Sequence, residues 1–249
     1  MASIDFFSIS RYFYKDSCMR ILGIIPARGG SKGIPRKNLA DVCGKPLIAY
    51  SIETGRQLLA GGTLARCIVS TDDDEIAECA KALGADVPFL RPAAAATDTA
   101  KALAYVLHAL DALKPQDGVY DAVMLLQPTS PIRNSAVIAE AVARMVASQS
   151  DSLISCYREE YINDLVMYDP QTDGTLVPRN PLHNKGVRRQ EHGPAMVRNG
   201  ALYVTRTPYL KATGSLVCDR PILLEMSKLD SIDVDAPDDL ILLRAVMCK

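Results

Sequence analysis

The chain has 249 residues, 48% of them hydrophobic, and a formal net charge of −1. That length and apolar share fit one large α/β domain, or one domain with a sizeable insertion, built on a real core. The near-balance of acids and bases gives no electrostatic footprint for nucleic acid or an anionic membrane, and no apolar run approaches membrane-spanning length.

Residues 1 to 18 are aromatic and serine-rich (Phe6, Phe7, Tyr12, Phe13, Tyr14) and lack the charged and apolar regions of a signal peptide. They are expected to be a disordered or non-native extension, with the main domain running from Met19 to the end. Residues 21 to 26 are short, apolar and closed by Pro26, which predicts a buried strand. A basic, glycine-rich loop follows to residue 38. Residues 46 to 60 predict a helix with Pro46 in its first turn and Gly61-Gly62 past its end. A second strand over 67 to 70 ends in Thr71-Asp72, and a helix over 74 to 83 stops at Gly84. Further on, helices are predicted over 97 to 113 and 134 to 148, and strands over 122 to 126 and 152 to 156. This alternation indicates a wound, mostly parallel sheet.

From about 157 to 195 the rhythm breaks into tyrosines, prolines, asparagines and arginines, which reads as an insertion outside the main sheet. Strands over 201 to 204 and 222 to 224 and a helix over 237 to 247 complete the chain. The seven cysteines (Cys18, Cys43, Cys67, Cys79, Cys156, Cys218, Cys248) are odd in number and include no C-x-x-C pair. They argue against a disulfide framework and for a reducing cytoplasm. His108, His183 and His192 lie in no zinc spacing.

The loop Pro26-Ala27-Arg28-Gly29-Gly30-Ser31-Lys32-Gly33-Ile34-Pro35-Arg36-Lys37-Asn38 leaves the carboxyl end of the first strand, where wound sheets bind ligands. Its glycines let backbone amides approach phosphate oxygens. Arg28, Lys32 and Lys37 could neutralise a triphosphate and a leaving pyrophosphate. The alternative is a solvated basic loop, less favoured directly after a buried strand. The spacing is neither a Walker loop nor a dinucleotide fingerprint. Gly29-Gly30-Ser31-Lys32-Gly33 does match the nucleophile elbow of α/β-hydrolases, but Pro35 opposes the immediate helix that elbow requires.

Other segments fall into order behind this loop: Val69-Ser70-Thr71-Asp72, Leu90-Arg91-Pro92-Ala93, Asp98-Thr99, residues 125 to 133 with Gln127 and Arg133, Asn199-Gly200-Ala201-Leu202-Tyr203, and residues 230 to 235. As an ordered set from Met19 onward they resemble the acylneuraminate cytidylyltransferases (CMP-sialic acid synthetases). The resemblance implies a Rossmann-like nucleotidyltransferase fold with an inserted dimerisation segment and a homodimer. It implies CTP and an acidic nonulosonic sugar as substrates and Mg2+, or Mn2+ in its place, as cofactor. It places Ala27, Arg28, Gly29, Gly30, Ser31, Asn38, Arg91 and Thr99 near the nucleotide and Gln127, Arg189, Asn199 and Tyr203 near the sugar.

Asp233 and Asp235 are two apart on an extended segment, so both face one way. Such a pair suits a hard cation that shares its coordination with phosphate oxygens and water; the competing reading is two solvated acids before a helix. Gln127 could equally bond a turn, and Arg133 could sit in the next helix's first turn. Arg188 and Arg189, with Lys185 and His192, are either a solvated face or the cationic partner of a sugar carboxylate. Two departures fall on the sugar side. Many sialic acid enzymes carry a lysine after a proline beyond the strand near Cys156, whereas residues 161 to 165 contain none. The bacterial arginine two positions before the Asn-Gly pair is Val197, with Arg198 adjacent. The expected activity is cytidylyl transfer to a nine-carbon acidic sugar, with legionaminic, pseudaminic and deaminated relatives open. An eight-carbon ulosonic acid as acceptor, a non-catalytic nucleotide-binding regulator and a serine hydrolase are the alternatives.

Overall fold

The computed structural model describes residues 19–31, 33–92, 102–160, 162, 164–184 and 194–248. Lys32, Thr99, Arg188, Arg189 and the amino-terminal 18 residues lie outside them. The six-stranded sheet contains β1 (Ile21–Pro26), β4 (Arg66–Ser70), β5 (Ala122–Leu126), β6 (Ser152–Glu159), β9 (Ala195–Arg206) and β10 (Ile222–Met226). Their spatial order is β10-β6-β9-β5-β1-β4. The pairs β1–β4, β1–β5 and β6–β10 are parallel, and β9 runs antiparallel between β5 and β6. From β1 the chain first goes to the edge at β4 and then returns to the other side of β1 at β5. The carboxyl ends of β1 and β5 thus lie side by side at the change in strand order, where wound sheets place their ligand crevice.

The helices are α1 (Leu47–Ala60), α2 (Asp74–Ala82), α3 (Ala102–Asp117), α4 (Ser135–Ala147), α5 (Thr207–Thr213) and α6 (Pro237–Met247). Two of the starts are fixed by side-chain caps. The Asp73 side chain accepts from the Ile76 amide at the start of α2, and the Asn134 side chain accepts from Ala136 and Val137 at the start of α4. Pro46 is the residue before α1 rather than part of its first turn, with extended backbone. One apolar cluster packs α1 and α4 residues such as Ile48, Ile52, Ile138 and Met145 onto one sheet face. A second packs Tyr105, Val106, Ala109 and Leu113 of α3 onto the other. Burial of such side chains contributes about 1.5–3 kcal/mol each.

A third cluster joins the short hairpin of β2 (Asp41–Val42) and β3 (Lys45–Pro46) to α6 and to Ile232 and Val234. Here the expectation from cysteine count is corrected. Cys43 in the hairpin turn and Cys248 after α6 form a disulfide, with Cα atoms 5.3 Å apart and 205 positions of sequence between them. Spacing cannot reveal this bridge; tertiary packing makes it, with Arg244 of α6 also donating to the Asp41 carbonyl. Cys67, Cys79, Cys156 and Cys218 are free.

β6 runs three residues beyond the predicted strand. Cys156 to Glu159 continue the ladder against the front of β9. Past it lie a small antiparallel pair, β7 (Tyr168–Pro170) and β8 (Leu176–Pro178). No helix among the described residues is long and apolar enough to cross a membrane.

Candidate active site

The β1 loop is held from both sides. The Gly29 amide donates to Asp72 Oδ1 at 3.1 Å, and Asn38 Nδ2 donates to the Arg28 carbonyl at 3.0 Å. Arg36 has left-handed backbone (φ 54°) and its guanidinium pairs with Asp73, at 2.6 Å, and with Glu75. Burial lifts the Asp73 pKa, but the Ile76 amide and Arg36 outweigh it, and the carboxyl sits below its ordinary value. Gly33 passes so near the Asp235 carbonyl that a Cβ there would overlap it, whereas a Cβ on Gly30 would meet nothing within 4 Å. Ala27 is fully buried where β1 ends, and Ser31 is part-buried.

Residues 231 to 235 come back across this loop. Ile232 and Val234 are buried while Asp233 and Asp235 are exposed, the alternation the sequence led us to expect, although no ladder forms here. The Val234 amide donates to the Thr129 carbonyl (2.8 Å), and Ser130 Oγ donates to Asp233 Oδ1 (3.2 Å). Lys37 Nζ, the loop's largely buried ammonium, donates to the Val234 carbonyl at 2.6 Å and to Asp235 Oδ1 at 2.8 Å. The loop and the acidic segment are thus one assembly. Among the described residues no group of three or more His, Cys, Asp or Glu forms a metal cage. Two exposed carboxylates two residues apart fit a hard divalent ion that takes its remaining oxygens from a polyphosphate and water.

A second row of side chains crosses the crevice on the α3 face. Arg91, buried, donates through Nε to Ser70 Oγ (3.1 Å) and through Nη2 to the Ser70 carbonyl, and its guanidinium lies 4.6 Å from the centre of the Tyr105 ring. Burial lowers the Arg91 pKa, with Arg28 adding to the fall. Burial pushes the Tyr105 phenol up to about 12 despite its side-chain hydrogen bond with Gln127. Gln127 therefore follows β5 with its side chain turned to Tyr105 of α3, not to its own turn. That turn is held instead by Arg133, which lies before α4 and not within it. Its guanidinium donates to the carbonyls of Gln127 and Ala201 (3.1 Å) and pairs with Ser51 Oγ (3.0 Å). Burial drives its pKa down against the pull of Asp233.

At the junction of β6 and β9, Asn199 is buried with its amide fully engaged. Its Oδ1 accepts from Ser155 Oγ (2.6 Å) and the Ala201 amide (3.2 Å), and its Nδ2 donates to Ser231 Oγ (2.8 Å) and toward Met226 Sδ (3.2 Å). Tyr203, paired across the sheet with Ile154 and Leu125, is packed against the α3 cluster. Burial raises its pKa, Arg198 opposes the rise and Asp233 adds to it. The structure therefore gathers Arg28, Gly29, Lys37, Asn38, Arg91, Gln127, Tyr203, Asp233 and Asp235 at one end of the sheet. Sequence reasoning placed Asp72 and Ser130 within motifs without giving them a role, and it passed over Ser155 and Asp73; a glycine inside a strand pattern at Gly200 was the available signal for the irregularity around Ser155.

Residues 22–192 match the family model described as Cytidylyltransferase. The chain belongs to the cytidylyltransferase family. Within it, this chain is 34% identical over 234 residues to CMP-N,N'-diacetyllegionaminic acid synthase of Legionella pneumophila, covering 92% of the chain and 97% of that relative. It is 43% identical over 143 residues to pseudaminic acid cytidylyltransferase of Campylobacter jejuni, and there the match spans only 57% of the chain and 60% of the relative's length. In three dimensions the chain resembles a CMP:2-keto-3-deoxy-manno-octonic acid synthetase solved with CTP, with a TM-score of 0.66 over 92% of the chain and 98% of the other, at 19% identity. At that identity the likeness speaks for the fold alone.

Proposed function

We propose that this chain transfers the cytidylyl group of CTP to the anomeric hydroxyl of a nine-carbon acidic sugar of the sialic acid type, releasing pyrophosphate. The observation that carries this reading is the assembly of the glycine-rich basic loop with the Asp233–Asp235 segment through Lys37, at the crevice between the ends of β1 and β5. The names of the relatives, a diacetyllegionaminic acid synthase and a pseudaminic acid cytidylyltransferase, support the acceptor class.

In the proposed step the anomeric oxygen forms a bond to the α-phosphorus of CTP as the bond to pyrophosphate breaks, and the hydroxyl proton leaves to a carboxylate or to solvent. Arg28, Lys32 and Lys37 face the charge that spreads over the phosphate oxygens, assisted by the Gly29, Gly30 and Ser31 backbone. Asp233 and Asp235 are the residues that would hold Mg2+, or Mn2+ in its place, which when bound supplies further neutralisation of the phosphates. Asn38, Arg91 and Thr99 belong to the nucleotide side, and Gln127, Arg189 and Tyr203 to the sugar side, where Asn199, its amide already engaged, supports the strand rather than touching the sugar. A homodimer is part of the proposal. It is supported by exposed apolar side chains on residues 157 to 195, among them Val166, Tyr168, Leu176, Val177 and Leu182.

The test is pyrophosphate release from CTP and Mg2+ against N-acetylneuraminic, deaminated, legionaminic, pseudaminic and eight-carbon ulosonic acids. A nine-carbon acid should be turned over fastest. Preference for the eight-carbon acid would move the acceptor class, and CTP binding without any release would favour a regulatory protein.

A further inference from the structure

The front of β9 carries an irregularity that changes which side chain faces the crevice. Across the ladder with β6, Ile154 pairs with Tyr203 and Cys156 with Arg198. Two steps along β6 are therefore matched by five along β9. In an unbroken strand, residues five apart would point to opposite faces. Because Ile154 and Cys156 share a face, their partners Tyr203 and Arg198 must share one too, and the Arg198 guanidinium indeed lies 5.8 Å from the centre of the Tyr203 ring.

Three features hold this bulge. Gly200 has φ +77°, a conformation that strains any residue with a Cβ. Asn199 is turned inward and its amide is spent on Ser155, Ala201 and Ser231. Ser155 Oγ in turn accepts from the Leu202 amide at 2.8 Å. Asn199 is thereby the lock of the bulge, and its neighbour is the residue presented outward.

The cations around this end of the sheet differ in how they are occupied. Lys37 is held by Asp235 and Val234, Arg91 by Ser70, Arg133 by Gln127, Ala201 and Ser51, and Lys228 by Glu159 at 2.6 Å. Arg198 is exposed and makes no hydrogen bond or ion pair among the described residues. A guanidinium fork laid beside a tyrosine, with its donors unused, suits a planar carboxylate.

We infer that Arg198, turned into the crevice by the Asn199–Gly200 bulge, binds the carboxylate of the acidic sugar and sets the requirement for an acid. This rests on the cytidylyl-transfer reading for the identity of the acceptor. It also offers an answer to the departure at Val197: the bulge delivers an arginine from the next position.

The experiment compares N-acetylneuraminic, pseudaminic and diacetyllegionaminic acids with their methyl esters. Turnover is measured with CTP, and equilibrium binding with a non-transferable CTP analogue in place of CTP. The proteins are the full chain and its Arg198→Met and Arg198→Lys variants. Expected is a rise in KM for the acid of about 10- to 100-fold in Arg198→Met, with KM for CTP and Tm unchanged and the acid-over-ester preference abolished. Arg198→Lys should recover part of the preference, because charge returns without the fork. If Arg198→Met keeps the acid-over-ester preference while turnover persists, the inference is wrong and the transfer reading stands. If the acids bind with an Arg198-dependent preference but are not turned over, the inference stands and the transfer reading fails. If no acid binds the native chain, both fall.

Discussion

Lys37 and Asp235 stand 198 positions apart in sequence and meet with Nζ 2.8 Å from Oδ1. The carboxylate is largely exposed, so the pair itself contributes no more than about 1 kcal/mol to stability. Its importance is positional, because it ties the loop after β1 to the segment before α6. Lys37→Met should lower Tm by a few degrees, through the lost bond to the Val234 carbonyl, and lower turnover by about 10²- to 10³-fold, the scale of losing one donor to a developing oxyanion. Combined with Asp235→Asn, the effects should be less than additive, since each change dismantles the same contact. Steady-state kinetics on the two single variants and the double variant decide this, and full additivity would show that the two residues act separately.

The loop's glycines are not equivalent. Gly33→Ala forces a methyl group into the Asp235 carbonyl, and Gly30→Ala places one in open space. Gly33→Ala should lower Tm and cost activity together. Gly30→Ala should keep the native Tm, and any activity it loses reports the approach of phosphate to its backbone. Thermal melts beside initial rates read both out.

Arg133 is the strut under the Gln127 turn. Arg133→Ala would strip hydrogen bonds from the Gln127 and Ala201 carbonyls and from Ser51, at a cost of several kcal/mol. Chemical denaturation should show that loss. Arg133→Lys should recover only part of it, because an ammonium cannot reach three acceptors with the geometry of a planar fork.

Acid should destabilise the protein. Asp73, Asp117 and Asp239 all titrate below the ordinary aspartate value. In Asp73 the Ile76 amide and Arg36 overcome burial, Asp117 is bonded to Tyr120 and Arg66, and Asp239 accepts from the amides of Ala236 and Asp235. A carboxyl held below its unfolded value adds stability that is fully present above the unfolded pKa and is lost as pH falls through the folded one. Tm should be flat near neutrality and fall below about pH 4. Asp73→Asn should lower Tm at pH 7 and shrink its acid slope. A Tm unchanged down to pH 3 would contradict this account.

Reduction should also cost stability. For a loop of the Cys43–Cys248 separation, the chain-entropy model gives about 5 kcal/mol from restricting the unfolded state. Melting with and without dithiothreitol, checked with Cys43→Ser, should show a fall in Tm on the order of 10 °C for a chain of this size.

Much of this was legible in the sequence. The buried strands announced themselves because parallel strands covered on both faces read as unbroken apolar runs. The loop after Pro26 stood out because basic residues and glycines directly follow such a run. The alternation of Ile232, Asp233, Val234 and Asp235 mapped onto buried and exposed positions as it reads. What escaped were relations between distant segments. Period-two reasoning fails at Gly200, where a bulge reverses the faces of everything before it, and it cannot tell that Asn199 is turned inward. The role of Arg133 was hidden because its acceptors come from three separate elements. The antiparallel sense of β9 carries no local signature, and the seven-residue α5, despite Pro208 in its first turn and left-handed Gly214 at its end, is too short for an apolar period to show.

The bridge between the β2–β3 turn and the end of α6 closes residues 43 to 248 into a covalent ring. A single proteolytic nick anywhere on that ring leaves one molecule of unchanged mass apart from the added water. It would separate into two bands only on a reducing gel, so that limited digestion run both ways would reveal whether the ring is closed in a given preparation.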